Sequence, residues 1–322
     1  MILDKAQILQ YIDANTLNNP LMDMPTFSIV IPTYNRADVL PRAVDSVCGQ
    51  TFEDWELVIV DDGSTDSTTE IVQPYLADDR ISYIQKENTG AAHSRNVGAE
   101  RAMGAYLTFL DSDDEAVPTW LEQVWNGFSN NDADVVCCGH INIDEQGERQ
   151  KVGLPNNLGP TFNNHMGRFS KGGVYVLCKE LFWEAGGFDN NLRCAQHTEF
   201  AIRLLNNSSL DVEIHNIMEP LIVAHVYGDD RIRDNPERLY LGAKRLIEKH
   251  KALLGSRIAN SYSIAGVNAF KIGKQEEAKR LLLEALKSDP KRVKRWLRVL
   301  LAYIPFAGDF VWNRHRISSK AS

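Results

Sequence analysis

Between residues 25 and 130, short apolar runs alternate with segments whose apolar positions recur every three or four residues. The runs FSIVIP (27–32), ELVIVDD (56–62), ISYIQ (81–85) and AYLTFLD (105–111) read as buried strands. Between them ADVLPRAVDSVCGQ, STDSTTEIVQPYL and GAAHSRNVGAERAMG read as helices, and PTWLEQVWNGF as a fourth with Pro118 at its start. Ser64, Thr65 and Asp66 supply N-cap chemistry for the second of these. Strands and helices alternating at this spacing predict an α/β fold, a mostly parallel sheet flanked by helices. Ligands on such sheets bind beyond the carboxyl ends of the strands. Here those ends carry Pro32-Thr33-Tyr34-Asn35, Asp61-Asp62-Gly63 and Asp111-Ser112-Asp113.

The pattern then becomes less regular. DVVCCGHINI (134–143) predicts a strand, and residues 144–170, rich in Gly, Asn and Pro, predict an excursion. GGVYVLCKELFWEAGGF gives a strand and a helix closing at Gly186-Gly187, and CAQHTEFAIRLLNN a further helix. LDVEIHN and EPLIVAHVY predict two strands. From Pro236 onward the chain reads as helical. Gly266, Ala269, Gly273, Ala278, Leu282, Ala285 and Pro290 fall near tetratricopeptide spacing, which for one repeat predicts a helical hairpin, with a protein partner or homo-oligomer contact as its functional alternative. In RVKRWLRVLLAYIPF, Val293, Trp296, Leu297, Leu300 and Ile304 share one helical face. Arg292, Lys294, Arg295 and Arg298 lie on or beside the other. Two readings fit: a helix lying in an anionic membrane surface, or a terminal helix packing its apolar face on the domain. The division expected is an N-terminal helical extension (1–24), an α/β domain (25–235, with halves 25–130 and 131–235) and a C-terminal helical region (236–322).

Composition narrows the function. The 322-residue chain is 43% hydrophobic and carries a net charge of −8, which argues against coating nucleic acid. The charge is uneven: from Lys287 onward it is +7, leaving −15 on the rest. Five cysteines without a CxxC pair read as reduced thiols in apolar sequence. The start lacks the pattern of a secretory signal and no run of 18 apolar residues occurs. A cytoplasmic protein is expected, with peripheral attachment to the cytoplasmic face of a membrane as the alternative that the basic tail leaves open.

The acidic strand ends carry the chemistry. Carboxylates at i and i+2 of a turn, as in Asp111-Ser112-Asp113, suit Mg²⁺ or Mn²⁺ shared with substrate phosphates. No GxGxxG or GxxxxGK[ST] cradle is present, so a diphosphate must be neutralised another way. A metal held by Asp113 is one route. Arg95 is another, or else it orders the carboxylates.

FSIVIPTYNR, ELVIVDDGSTDST, ENTGAAHSRNVG, TFLDSDD and AGGFDNNLRCAQHTEFAIRL, in this order, resemble the GT-A glycosyltransferases of family 2 over roughly residues 25–230. The resemblance implies a GT-A fold with a C-terminal helical extension, and an inverting, metal-dependent transfer of sugar from a nucleotide sugar, a UDP-sugar first, to a glycan or lipid-linked acceptor. It implies a nucleotide site along Pro32, Thr33, Asn35, Asp62, Arg95 and Ser112, with Asp111 toward the ribose or the metal-bound water shell. Asp113 would be the metal ligand, joined by His225. The family usually has Glu-Asp at the start of the helix after GGFD, the Asp being the general base. Gln196-His197 stands there in this chain, so His197 is expected as the base, with Glu199 as the competing carboxylate. The rival functions are a non-catalytic sugar-nucleotide or protein-binding module on a degenerate GT-A fold, and a nucleotidyltransferase. PTYNRADV after the first strand lacks the Gly-rich loop the latter needs.

Overall fold

The computed structural model describes residues 24–155, 169, 171–226, 235–254, 258–304 and 312. The expected N-terminal helix, the far side of the 144–170 excursion and the apolar-aromatic stretch after Ile304 lie outside them, apart from Phe169 and Trp312. The chain falls into two units. Among the described residues the first holds 24–155, 169, 171–190 and 203–226, and the second 191–202, 235–254, 258–304 and 312.

The first unit is built on β1 (Phe27–Thr33), β2 (Trp55–Asp61), β3 (Ile81–Gln85) and β4 (Tyr106–Phe109), parallel in the order β3-β2-β1-β4. β1 and β2 are buried along their whole length, so they are apolar over Ile29–Pro32 and Leu57–Val60 instead of alternating, and their buried polar pair, Ser28 Oγ and Glu56 Oε1, is bonded at 2.6 Å. Beyond β4 the sheet turns mixed: β8 (Tyr175–Cys178), β6 (Val135–Ile143), β9 (Ile214–His225) and β5 (Asp114–Ala116) follow. β7 (Arg149–Gly153) pairs with β6, so the excursion opens as a hairpin. The two strands expected between 210 and 227 are one, β9. Its register against β6 shifts around Gly139 and Pro220, which lets a proline without an N–H sit inside a paired strand.

Helices α1 (Leu40–Cys48), α2 (Thr68–Val72), α3 (Ala91–Arg101), α4 (Trp120–Ser129) and α5 (Lys179–Glu184) connect these strands. α2 is shorter than the pattern suggests, because Pro74 turns the chain into a 3₁₀ helix, Gln73–Ala77. Its N-terminal N–H groups are met by Asp66, whose Oδ1 accepts from Thr68 N–H at 3.1 Å. α3 closes on β1 through Gly98, where a Cβ would lie 2.3 Å from Val30 Cγ1. Trp55, Trp120 and the stacked pair Tyr106–Phe128, centroids 4.0 Å apart, fill the core. Cys137 and Cys138 are buried there as small apolar side chains.

α6 (Gln196–Asn206) begins in the second unit, which continues with α7 (Pro236–Leu254), α8 (Ile258–Lys271), α9 (Gln275–Ser288) and α10 (Val293–Tyr303). α8 and α9 form the expected hairpin. Gly266 makes the close approach possible, since a Cβ there would lie 2.7 Å from Leu282 Cγ. Among the described residues no helix is long and apolar enough to cross a membrane.

Candidate active site

Register sets the site. Thr33 lies opposite Asp61, and the ladder runs one residue further through Asp62 N–H to Thr33 O at 2.9 Å. On the other side of β1, Leu110 N–H reaches Val30 O at 3.0 Å, so Asp111 leaves the same sheet edge. Topology thus brings Pro32, Thr33, Asp61, Asp62, Asp111, Ser112 and Asp113 to one edge.

Each acidic strand end is already organised. Asp61 accepts from Tyr83 Oη at 2.5 Å and from Ser64 N–H at 2.8 Å. Burial, reinforced by that bond to Asp61, pushes the Tyr83 phenol up to about 12. Asp62 accepts from Thr89 N–H at 2.9 Å and Gly90 N–H at 2.7 Å, and pairs with Lys86. Gly90, at φ 100°, adopts a backbone that favours glycine as it turns into α3. Asn35, at φ 50°, accepts from Thr65 N–H and donates its own N–H to Ser64 Oγ, both at 2.8 Å. It thereby ties the loops after β1 and β2 together, and its side chain is exposed at their rim.

α3 reaches the third acidic end. Arg95 Nη2 donates to Asp111 Oδ1 at 2.6 Å, so of the two roles open to Arg95 the ordering of the carboxylates is met. Its guanidinium also lies 5.9 Å from the Phe188 ring centre. The next residue, Asn96, brackets Phe188, donating to its carbonyl at 2.8 Å and accepting from its N–H at 2.9 Å. Asn96 also donates to Asn190 Oδ1 at 2.8 Å. Sequence reasoning passed over Asn96, although it stands beside Arg95 in the same motif. Gly172 was likewise missed: a Cβ there would lie 2.7 Å from Phe109 O and 3.2 Å from Asp111 Oδ1.

Asp114 closes the turn through its backbone, its N–H reaching Asp111 O at 3.0 Å, while its side chain points to a different partner. The carboxyl is buried on β5 and paired with Lys171. Burial pushes it up to about 7, Asp111 and Asp113 adding to the rise and Lys171 opposing it.

Asp113 and His225 flank the end of the β5–β9 ladder, whose register sets Asp114 opposite Ala224. The Asp113 carbonyl accepts from Arg42 Nη2 at 2.9 Å. Arg42 Nε lies 3.3 Å from Glu115, and Glu115 also holds His225 Nε2. Burial and the Arg42 guanidinium push the His225 imidazole below its ordinary value, against the pull of Glu115 and Asp113. A carboxylate and a nearby imidazole fit one side of a Mn²⁺ or Mg²⁺ site, the imidazole suiting Mn²⁺ better. Among the described residues no group of three His, Cys, Asp or Glu is placed to hold a metal, so the remaining ligands would come from substrate and water.

His197 and Glu199 belong to the second unit. Ala195, at φ 62°, leads into α6, and Gln196 Nε2 donates to Leu192 O at 3.0 Å. His197 is nearly buried. Glu199 is fully buried and accepts from Lys249 Nζ at 2.7 Å and from His250 Nε2 at 2.9 Å. Further along α6, Arg203 of the first unit donates to the carbonyls of Ala185 and Gly187.

Residues 28–181 match the model of Glycosyl transferase family 2. TuaG of Bacillus subtilis (strain 168), provisionally assigned to teichuronic acid biosynthesis, is 47% identical over 93 residues, 28% of this chain and 37% of that protein. The chain spans less than two thirds of such curated relatives, and only 17% of an uncharacterized glycosyltransferase of Rickettsia felis. Among solved structures, S. aureus TarS 1–349 in complex with UDP-GlcNAc superposes with a TM-score of 0.62 at 19% identity, covering 88% of this chain and 91% of TarS 1–349. The mannosyltransferase PcManGT of Pyrobaculum calidifontis, in complex with GDP-Man and Mn²⁺, superposes with a TM-score of 0.51 at 16% identity, covering 95% and 93%. At these identities the two structures speak for the fold.

Proposed function

We propose, from the match of residues 28–181 to Glycosyl transferase family 2 and from the GT-A-like fold, that the chain moves a sugar from a nucleoside-diphosphate sugar to an acceptor hydroxyl, with inversion. The observation that carries this is the convergence of three acidic strand ends on one sheet edge, with the third locked by Arg95. In this reading Pro32, Thr33, Asn35 and Asp62 line the nucleoside, and Arg95 fixes Asp111 and Ser112 beside the ribose and diphosphate. Asp113 and His225 would hold Mn²⁺ or Mg²⁺, which when bound neutralises the charge that builds on the departing diphosphate.

The acceptor oxygen bonds to the anomeric carbon as the bond from that carbon to the diphosphate oxygen breaks. The hydroxyl proton passes to an imidazole nitrogen of His197. Glu199, engaged by Lys249 and His250, is the weaker claimant to that proton. A UDP-sugar is the donor proposed first, in keeping with the UDP-GlcNAc bound to TarS. A surface glycan or lipid-linked acceptor agrees with TuaG, and would put the enzyme at the cytoplasmic face of a membrane.

Calorimetric titration of UDP-, GDP- and dTDP-sugars, with and without Mn²⁺, tests the reading. At least one donor should bind, and Asp113→Ala should remove the Mn²⁺ effect. No binding by any donor, or binding indifferent to Asp113→Ala, overturns the metal-diphosphate site.

One observation favours a second reading, a binding module without turnover: Gln196-His197 stands where the family usually has Glu-Asp. Donor binding without hydrolysis or transfer, together with turnover gained by His197→Asp, would select it.

A further inference from the structure

Helix α10 is amphipathic in the wrong sense for a helix that only caps a domain. Such a helix ordinarily buries its apolar stripe and exposes its charges. Here the buried positions are Arg295 and Ala302. Arg295, 5% exposed, pairs with Asp289 and donates to Asn260 Oδ1 at 2.9 Å. The opposite face carries Val293 (70% exposed), Trp296 (56%), Leu297 (52%), Leu300 (56%), Tyr303 (53%) and Ile304 (45%). These recur at helical spacing within one arc of roughly 120°. The Trp296 indole N–H is satisfied by Pro290 O at 2.9 Å, so its polar edge is tied back while the ring stays exposed.

Charge selects what covers this face. From Lys291 to Ile304 there are five basic residues and no acidic one. Lys294 and Arg292 flank the apolar arc on its two sides. Two copies packed through this face would oppose like charges, whereas an anionic surface satisfies them. The arc runs about 17 Å, far short of the ~30 Å bilayer core, so the helix suits the interface plane and not a crossing.

We infer that the exposed face of α10 docks the chain on an anionic lipid bilayer, with Trp296, Leu297, Leu300 and Tyr303 entering the headgroup–acyl boundary and Lys291, Arg292 and Lys294 meeting lipid phosphates. The inference rests on the second unit alone and stands whether or not the first unit transfers sugar.

Co-sedimentation of the full chain tests it, using vesicles of phosphatidylcholine alone and with phosphatidylglycerol. The chain should pellet with the anionic vesicles, and less so as salt rises. Leu297→Asp with Leu300→Asp, and separately Lys291→Glu with Lys294→Glu, should each weaken partitioning by about tenfold or more. All four side chains are exposed, so the melting temperature should hold and report folding. The tryptophan emission of the wild type should shift to the blue on anionic vesicles, and Trp296→Phe should lose that shift. Three results overturn the inference: a chain that stays in the supernatant, variants that pellet like the wild type, or a solution dimer that Leu297→Asp with Leu300→Asp dissolves while no vesicle is bound. Donor titration without vesicles reads the transferase proposal separately.

Discussion

Arg95 Nη2 lies 2.6 Å from Asp111 Oδ1, and the arginine is far more buried than the carboxylate it holds. The turn that begins at Asp111 is therefore fixed from beneath, by a helix, before any substrate arrives. Preorganisation of this kind lowers the cost of ordering a binding loop.

Replacing Arg95 should harm both fold and site. Arg95→Ala leaves Asp111 without this partner and should cost about 1–3 kcal/mol of stability. Donor affinity should fall by about tenfold or more, beyond what the stability loss explains at a temperature where the variant is folded. Arg95→Lys keeps the charge but not the planar fork, and should recover stability more fully than affinity. Urea unfolding and donor titration on the same preparations measure the two.

Tyr83 makes the second acidic end sensitive to alkali. Its phenol ordinarily titrates near 10 and is pushed to about 12 by burial and by Asp61. A group whose folded value is raised contributes stability that is complete below the unfolded value and is lost as pH rises through the folded one. Between about 10 and about 12 the unfolded chain releases this proton first, so stability should fall across that window. Tyr83→Phe should cost about 1 kcal/mol at neutral pH and flatten this part of the alkaline decline. Urea midpoints at pH steps across the window check the sign.

How much of this was legible in the sequence varies with the range of the interaction. β1 and β2 could be read because a fully buried parallel strand shows a near-continuous apolar run, Ile29–Pro32 and Leu57–Val60 here, that gives way to polar residues at its carboxyl end. The site edge followed, since parallel strands put their carboxyl ends together. β9 was split in the reading because Glu219-Pro220 looks like a turn, and only a partner strand with a shifted register can absorb it. The fate of Asp114 was hidden for the same reason: Lys171, its partner, is 57 positions away, and local spacing carries no trace of that pair. The face that α10 buries was also undetermined, because a helical wheel shows two faces and not which one meets the neighbouring helices.

Gly172 should not tolerate a side chain. An added methyl would press on Phe109 O at 2.7 Å, which is backbone and has little room to give. Gly172→Ala should lower stability by about 1–3 kcal/mol and displace Asp111, weakening donor binding. If Gly172→Ala melted like the wild type, the packing of this segment against the end of β4 would be wrong.

In the proposed metal site Glu115 is the residue that positions His225. It bridges Arg42 and the imidazole, and such a partner would hold the ring and tautomer of a ligating histidine. Glu115→Gln should reduce Mn²⁺ affinity in the presence of UDP by about tenfold or more, and His225→Ala by at least as much. Free Mn²⁺, followed by its electron paramagnetic resonance signal, gives the readout without turnover. Equal Mn²⁺ uptake by wild type, His225→Ala and Asp113→Ala would remove this pair of ligands from the proposal.

His197 and Glu199 lie two residues apart on α6, and their variants should separate cleanly. Glu199 is buried against Lys249 and His250, so Glu199→Gln leaves those partners without a full counter-charge and should cost about 2–4 kcal/mol. His197→Ala keeps the Glu199–Lys249–His250 cluster intact. Its effect should fall on kcat, by about a hundredfold or more, with donor affinity nearly intact. His197→Asp restores a carboxylate where the family usually has one, and should recover part of the lost rate with its acid limb moved to lower pH, because a carboxylate stays deprotonated there. The assignment of the base fails if Glu199→Gln, once stabilised by low temperature, loses rate to the same extent as His197→Ala while His197→Asp recovers nothing. In that case the proton leaves by another group, and α6 serves the site through its fold alone.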